Sequence, residues 1–177
     1  MILFFVPAFA AESPCDKAKA AWKDVTAYRG TYRAITSHEG KVKETIMVYT
    51  FQKPGKIRMD IQKPRKGAVL LYNPEVSPKV RIRPFPKLSS LVLDYDLTHK
   101  RVSSDAGGTI DKSDLGHKID DVCGGPDDKK KRLTFGGPNG LLNKVEFLDD
   151  KGQVKGLIEI NGLEIDPALG KTAFTDF

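Results

Sequence analysis

The side chains here that could do chemistry are three histidines, two cysteines and a scatter of aspartates. His38, His99 and His117 have no metal-ligand spacing with one another, and neither Gly-x-Ser-x-Gly nor His-Glu-x-x-His occurs. Zinc hydrolysis and serine-based acyl transfer therefore have nothing to build on. Cys123 with His117 would make a thiol nucleophile and its base, but Cys15 is a second cysteine able to pair with Cys123 and consume the thiolate. Asp111-Lys112-Ser113-Asp114-Leu115-Gly116 begins like a calcium loop yet lacks the ligand spacing and the closing glutamate. The sequence predicts no catalysis, no metal and no cofactor. What remains is binding.

The chain has 177 residues, 40% hydrophobic and 29% charged, which suits one folded domain over residues 11–177 with a sizeable core. No apolar run reaches the roughly 18–20 residues of a membrane span, so an integral membrane protein is not expected. Residues 2–10 form an apolar run ending in Ala8-Phe9-Ala10, the small-x-small form that signal peptidase accepts. They read as a signal-peptide remnant without its basic start. The plain alternative is a buried N-terminal strand or helix. Ser13-Pro14-Cys15 lacks the small residue that precedes a lipidated cysteine. In an exported chain Cys15 and Cys123 are expected to pair, tying an N-terminal helix to a glycine-rich loop. Two unrelated buried thiols are the other reading.

The elements that would position a binding face follow from periodicity. Residues 16–28 (DKAKAAWKDVTAY) place Ala18, Ala21, Trp22 and Val25 at i, i+3, i+4 and i+7, the stripe of an amphipathic helix. Residues 29–37 begin a sheet. Residues 41–83 then carry four short apolar runs, separated by Lys53-Pro54-Gly55, by Lys63 to Gly67 and by Asn73-Pro74-Glu75. Proline with its fixed φ, and glycine in two of the three, make these reversals, so the strands are consecutive and antiparallel. Lys56 to Gln62 and Lys79 to Arg83 alternate, giving one apolar and one wet face, whereas residues 45–51 look covered on both sides. A strand is expected over residues 88–97, with Leu91, Leu93 and Tyr95 on one face. A glycine- and aspartate-rich stretch fills residues 99–128, broken by a helical turn over 115–122. Three strands close the chain at 132–135, 144–148 and 154–160, with Asn161-Gly162 a further turn or bulge.

Phe51-Gln52-Lys53-Pro54-Gly55-Lys56-Ile57-Arg58-Met59, then Pro64, then Leu70-Leu71-Tyr72-Asn73-Pro74, resembles the LolA-type periplasmic lipoprotein carriers. In those, a strand ending in a basic residue and proline leads to a second strand, a further proline and an aromatic-rich strand closing on Tyr-Asn-Pro. Residues 164–177 are similar to the family's closing segment. The resemblance implies an α+β fold: a strongly curved antiparallel sheet, an open half-barrel, with the N-terminal amphipathic helix and short helices over its concave face. It further implies a periplasmic carrier whose apolar cavity takes the acyl chains of lipoproteins or lipids for delivery to the outer membrane. Its partners would be an inner-membrane donor and an outer-membrane acceptor protein, with the carrier itself a monomer. Other lipid binders share the fold, so an envelope lipid sensor or glycolipid-binding module is the alternative. Two departures stand out: Lys53 stands where the family's carriers use an arginine to hold the lid, and the segment from Pro64 to Tyr72 is shorter.

On this reading the ligand-binding residues are Trp22, Met47, Tyr49, Phe51, Ile57, Met59, Ile61, Leu71, Val80, Ile82, Leu91 and Leu93, with Lys53 as the lid contact. Adaptable methionines beside rigid aromatics suit a loose apolar pocket, and each buried methylene adds about 0.8 kcal/mol. The same pattern also describes ordinary core filled by the helix. The net charge of +6, with basic clusters at Lys63/Arg65/Lys66, Lys79/Arg81/Arg83/Lys87 and Lys129 to Arg132, fits a solvated face, anionic headgroups or an acidic partner. No motif interleaves basic and aromatic residues for nucleic acid, which is not expected as a partner.

Overall fold

The computed structural model describes residues 12–38, 41–88, 90–103, 108–124 and 130–177. The signal-like segment at residues 2–10 lies outside them, as does the turn at Glu39-Gly40. Helix α1 runs Pro14–Asp24; the Ser13 hydroxyl accepts the Asp16 N–H at its start, and proline occupies the first turn. Strands β1 (Ala27–His38), β2 (Lys41–Gln52), β3 (Lys56–Lys63), β4 (Val69–Tyr72), β5 (Val80–Arg83) and β6 (Leu93–Tyr95) follow in a meander. Helix α2 (Leu115–Gly124) precedes β7 (Lys131–Thr134), β8 (Lys144–Leu148) and β9 (Val154–Ile165).

All pairings are antiparallel, and the strand order β6-β5-β4-β3-β2-β1-β9-β8-β7 leaves one edge of β6 and one edge of β7 unpaired among the described residues. Residues from β5 (Val80, Ile82) and from β8 (Val145) nonetheless share one core with α1 and α2. Two short helices can meet both wings of a nine-stranded sheet only if the sheet curls around them. The architecture is the open half-barrel.

Several boundaries differ from the sequence reading. The helix expected to reach Tyr28 stops at Asp24. There the chain turns extended at Val25, and Asp166 Oδ1 accepts the N–H groups of Thr26 and Ala27 at 2.9 and 2.8 Å, drawing the segment into β1. The strand expected over residues 88–97 shrinks to Leu93–Tyr95. Pro84 and Pro86 have no N–H to extend the ladder, and Leu88 and Leu91 close successive turns. The last strand is longer than expected, because Asn161 stays paired with Thr31 and Gly162-Leu163 is absorbed as a bulge opposite Gly30 instead of ending it.

The C-terminal tail covers part of the convex side, over β3 and β5. Arg58 grips Asp60 with two hydrogen bonds (2.8 and 2.9 Å) and donates to the carbonyls of Ala173 and Asp176. Arg81 donates to Thr175, and the Phe177 ring lies against both Arg81 and Arg83. The basic alternation of β5 therefore also straps the C-terminal tail, with Arg81 and Arg83 left partly exposed. Phe174 is buried in that strap.

Candidate ligand-binding face

Register assigns the concave face. Tyr28 pairs with Phe51, Phe51 with Ile57, and Ile57 with Tyr72, making one row across four strands. Tyr49, Met59, Leu70, Ile82 and Leu93 make a second, and Tyr32, Met47 and Ile61 a third. Side chains one pleat apart share a face, so these rows form one continuous apolar surface.

Of the residues expected to line it, Tyr49, Phe51, Ile57, Met59, Val80 and Ile82 are buried there. Met47, Ile61 and Leu93 lie on the same face, half-buried, and Trp22 reaches it from α1. Two assignments need correction. Leu71 pairs opposite Arg58 and Arg81, so it points to the convex side, where it is buried beside Phe174. Leu91 precedes β6 and is exposed. The run Ala68 to Tyr72 is apolar at every position, so alternation could not choose its inward residues; Leu70 and Tyr72 are the ones that face in. Tyr28 and Tyr32 were also missed, although the spacing Tyr-x-Gly-x-Tyr carried the signal. The far wing adds Val145, Phe147, Ile158 and Ile160.

An aromatic floor lies at the middle. Tyr28 stacks on Tyr49 (5.7 Å, 12° between planes), Tyr32 leans on Tyr49 (4.8 Å), and Trp22 meets Tyr28 and Phe51 at 5.9 and 5.7 Å. The tyrosine hydroxyls face the start of α2. The Tyr28 oxygen accepts the Leu115 N–H (3.0 Å) and lies 3.4 Å from the Tyr32 hydroxyl, while Tyr49 bonds Ser113 at 2.9 Å. Burial above all pushes Tyr28, Tyr32 and Tyr49 well above the usual phenol range, so the floor stays neutral. Buried Asp114 caps α2 through the N–H groups of Gly116 and His117 and touches His117 Nδ1.

The cover consists of α1 and α2, joined by the Cys15–Cys123 disulfide. The bridge removes the thiol that a Cys123–His117 nucleophile would need. Lys53, the expected lid contact, donates to the carbonyls of Trp22 and Lys23 (3.0 Å each), the last turn of α1. Helix α1 itself fully buries only Ala18. Among the described residues no group of His, Cys, Asp or Glu could hold a metal ion.

The hollow expected from the sequence is filled at its centre by the floor and its helices. The void between α2 and β8–β9 is ≈10 Å³, and one beneath the C-terminal strap is ≈50 Å³. Ligand pockets run to about 300–1,000 Å³. The apolar surface nonetheless continues past the buried floor, to half-buried Met47, Ile61, Phe147 and Ile158 towards the far end of the sheet.

No protein-family model and no curated protein sequence matches the chain. In shape it superposes on a LolA superfamily protein from Nitrosomonas europaea with TM-score 0.51, covering 96% of this chain and 99% of that one at 10% identity. The chain has a LolA-like fold. A DUF1329 family protein from Desulfovibrio piger aligns over 91% of this chain and 95% of its own (TM-score 0.49, 11% identity). In a LolA-like frame the helices, the half-barrel and the lysine at the β2–β3 turn form one unit, a cover fastened over an apolar face.

Proposed function

We propose that the protein binds acyl chains of lipoproteins or lipids on the concave face and carries them through the periplasm to the outer membrane as a monomer. The observation that carries this reading is the apolar surface running out from the floor to Met47, Ile61, Phe147 and Ile158, where a chain could enter before displacing the cover. Because the centre is full, loading requires α1 and α2 to move off together, as the disulfide dictates. Each methylene that replaces a helix contact supplies about 0.8 kcal/mol, so a long chain can offset the lost packing. The disulfide fits an oxidising compartment. The role is binding, not catalysis, with an inner-membrane donor and an outer-membrane acceptor as protein partners.

The filled centre favours a second reading, a lipid sensor or glycolipid-binding module that carries no lipoprotein. Mass spectrometry of the protein purified from its native envelope separates the two. Bound lipoprotein supports the carrier and free lipid the module. Nothing bound after saturation with lipid and lipoprotein sinks both.

A further inference from the structure

The antiparallel registers place the β1–β2, β3–β4, β5–β6 and β8–β9 connections at one end of the half-barrel, where the apolar surface emerges. Of the large apolar side chains that stand exposed among the described residues, Val42, Phe85, Leu88, Leu91 and Val154 all lie at this end, and only Val76 at the other. Phe85, Leu88 and Leu91 occupy two successive turns, closed by the Leu88 N–H to Phe85 and the Leu91 N–H to Leu88. The β3–β4 turn lies against them: a Cβ on Gly67 would come within 2.8 Å of the Pro86 ring. That turn carries exposed Arg65 and Lys66, and exposed Lys87 follows Pro86 in the chain. None of these three cations has an ion-pair partner among the described residues, whereas Lys56 and Lys79 at the opposite end each face a carboxylate.

We propose that this end of the half-barrel docks on an anionic membrane surface, with Phe85 and Leu88 inserted at the headgroup level and Arg65, Lys66 and Lys87 on the lipid phosphates. Loop tips carrying apolar side chains among unpaired cations match a bilayer interface, which is apolar beneath and anionic above. An acidic protein partner would match the charge but would leave the apolar tips in water unless it offered a groove for them. The inference stands apart from the cargo reading, since docking needs no bound acyl chain.

The test is co-sedimentation of the full chain with vesicles of phosphatidylglycerol and phosphatidylethanolamine, and with pure phosphatidylcholine. Binding to the anionic vesicles that weakens with salt is expected. Phe85→Ser/Leu88→Ser and, separately, Arg65→Glu/Lys66→Glu/Lys87→Glu should each weaken it on the order of tenfold or more. Lys23→Glu/Lys79→Glu/Lys171→Glu, the same charge change away from this end, should weaken it far less. All these positions are exposed, and near-ultraviolet circular dichroism confirms that each variant is folded. Absence of wild-type binding overturns the proposal, including where the same residues then prove to hold an acidic protein. Equal loss in the two charge-reversal variants, or no loss in the Phe85/Leu88 variant, also overturns it.

Discussion

The ammonium of Lys53 donates to the backbone carbonyl of Trp22 at 3.0 Å while lying 5.0 Å from the centre of that residue's indole ring. One side chain thus caps the C-terminus of α1 and holds the aromatic that seals the floor. A cation at this end of a helix also meets the negative end of its dipole. A lysine on the β2–β3 turn is in this way the fastening of the cover.

Replacing Lys53 by methionine should loosen α1 while leaving the sheet intact. Trp22 is the only tryptophan, so its emission reports on the cover directly. A red shift and a loss of about 1–3 kcal/mol are expected, with Lys53→Arg recovering much of both. An unchanged spectrum would mean that the fastening lies elsewhere.

Gly116 is a second contact on which the cover depends. A Cβ there would fall 2.1 Å from Trp22 Nε1, so Gly116→Ala must push the indole out. The expected cost is about 1–3 kcal/mol, with the same red shift and faster uptake of a fluorescent fatty acid. A neutral effect on all three readouts would contradict the packing.

The disulfide closes a sequence separation of 108 residues. Cys15→Ser/Cys123→Ser should lower stability to urea by about 2–5 kcal/mol, since the unfolded chain regains the freedom of a long loop. It should also let α1 and α2 open independently, read as increased hydrogen exchange in α1.

Asp166 supplies an acid-sensitive latch between the C-terminal segment and the start of β1. The Thr26 hydroxyl foremost, then the N–H groups of Ala27 and Thr26, hold its carboxyl below the ordinary 3.8. A depressed carboxyl contributes stability above its unfolded value and loses it as pH falls through the folded one. Asp166→Asn should therefore flatten the loss of stability below about pH 4. An unchanged acid limb of the melting-temperature profile would discount the latch.

For cargo binding the informative substitution is Met47→Glu, not a charge at Met59. Met59 is buried in the core, where a charge would unfold the protein before it could report on a ligand. Met47 is half-buried on the open stretch, so the charge should abolish fatty-acid binding in a folded protein. Retained binding would move the site elsewhere.

Much of the architecture was legible locally. Proline at each reversal of residues 41–83, with glycine at two of the three, forced antiparallel neighbours, alternation in β3 and β5 gave the inward residues, and two cysteines in an exported-looking chain pointed to one bridge. These are properties of a few adjacent residues, and the chain writes them directly. Alternation failed where it was absent: in the all-apolar run Ala68 to Tyr72 only the partner register could show that Leu70 and Tyr72 face in and Leu71 out. The helix limit at Asp24 was likewise decided 140 residues away, by a carboxylate reaching back to Thr26. Whether the concave face is hollow or full depends on how closely two helices sit over it. That distance is set by the disulfide, by Gly116 beneath Trp22 and by Lys53 beneath α1, contacts between segments that no local pattern encodes.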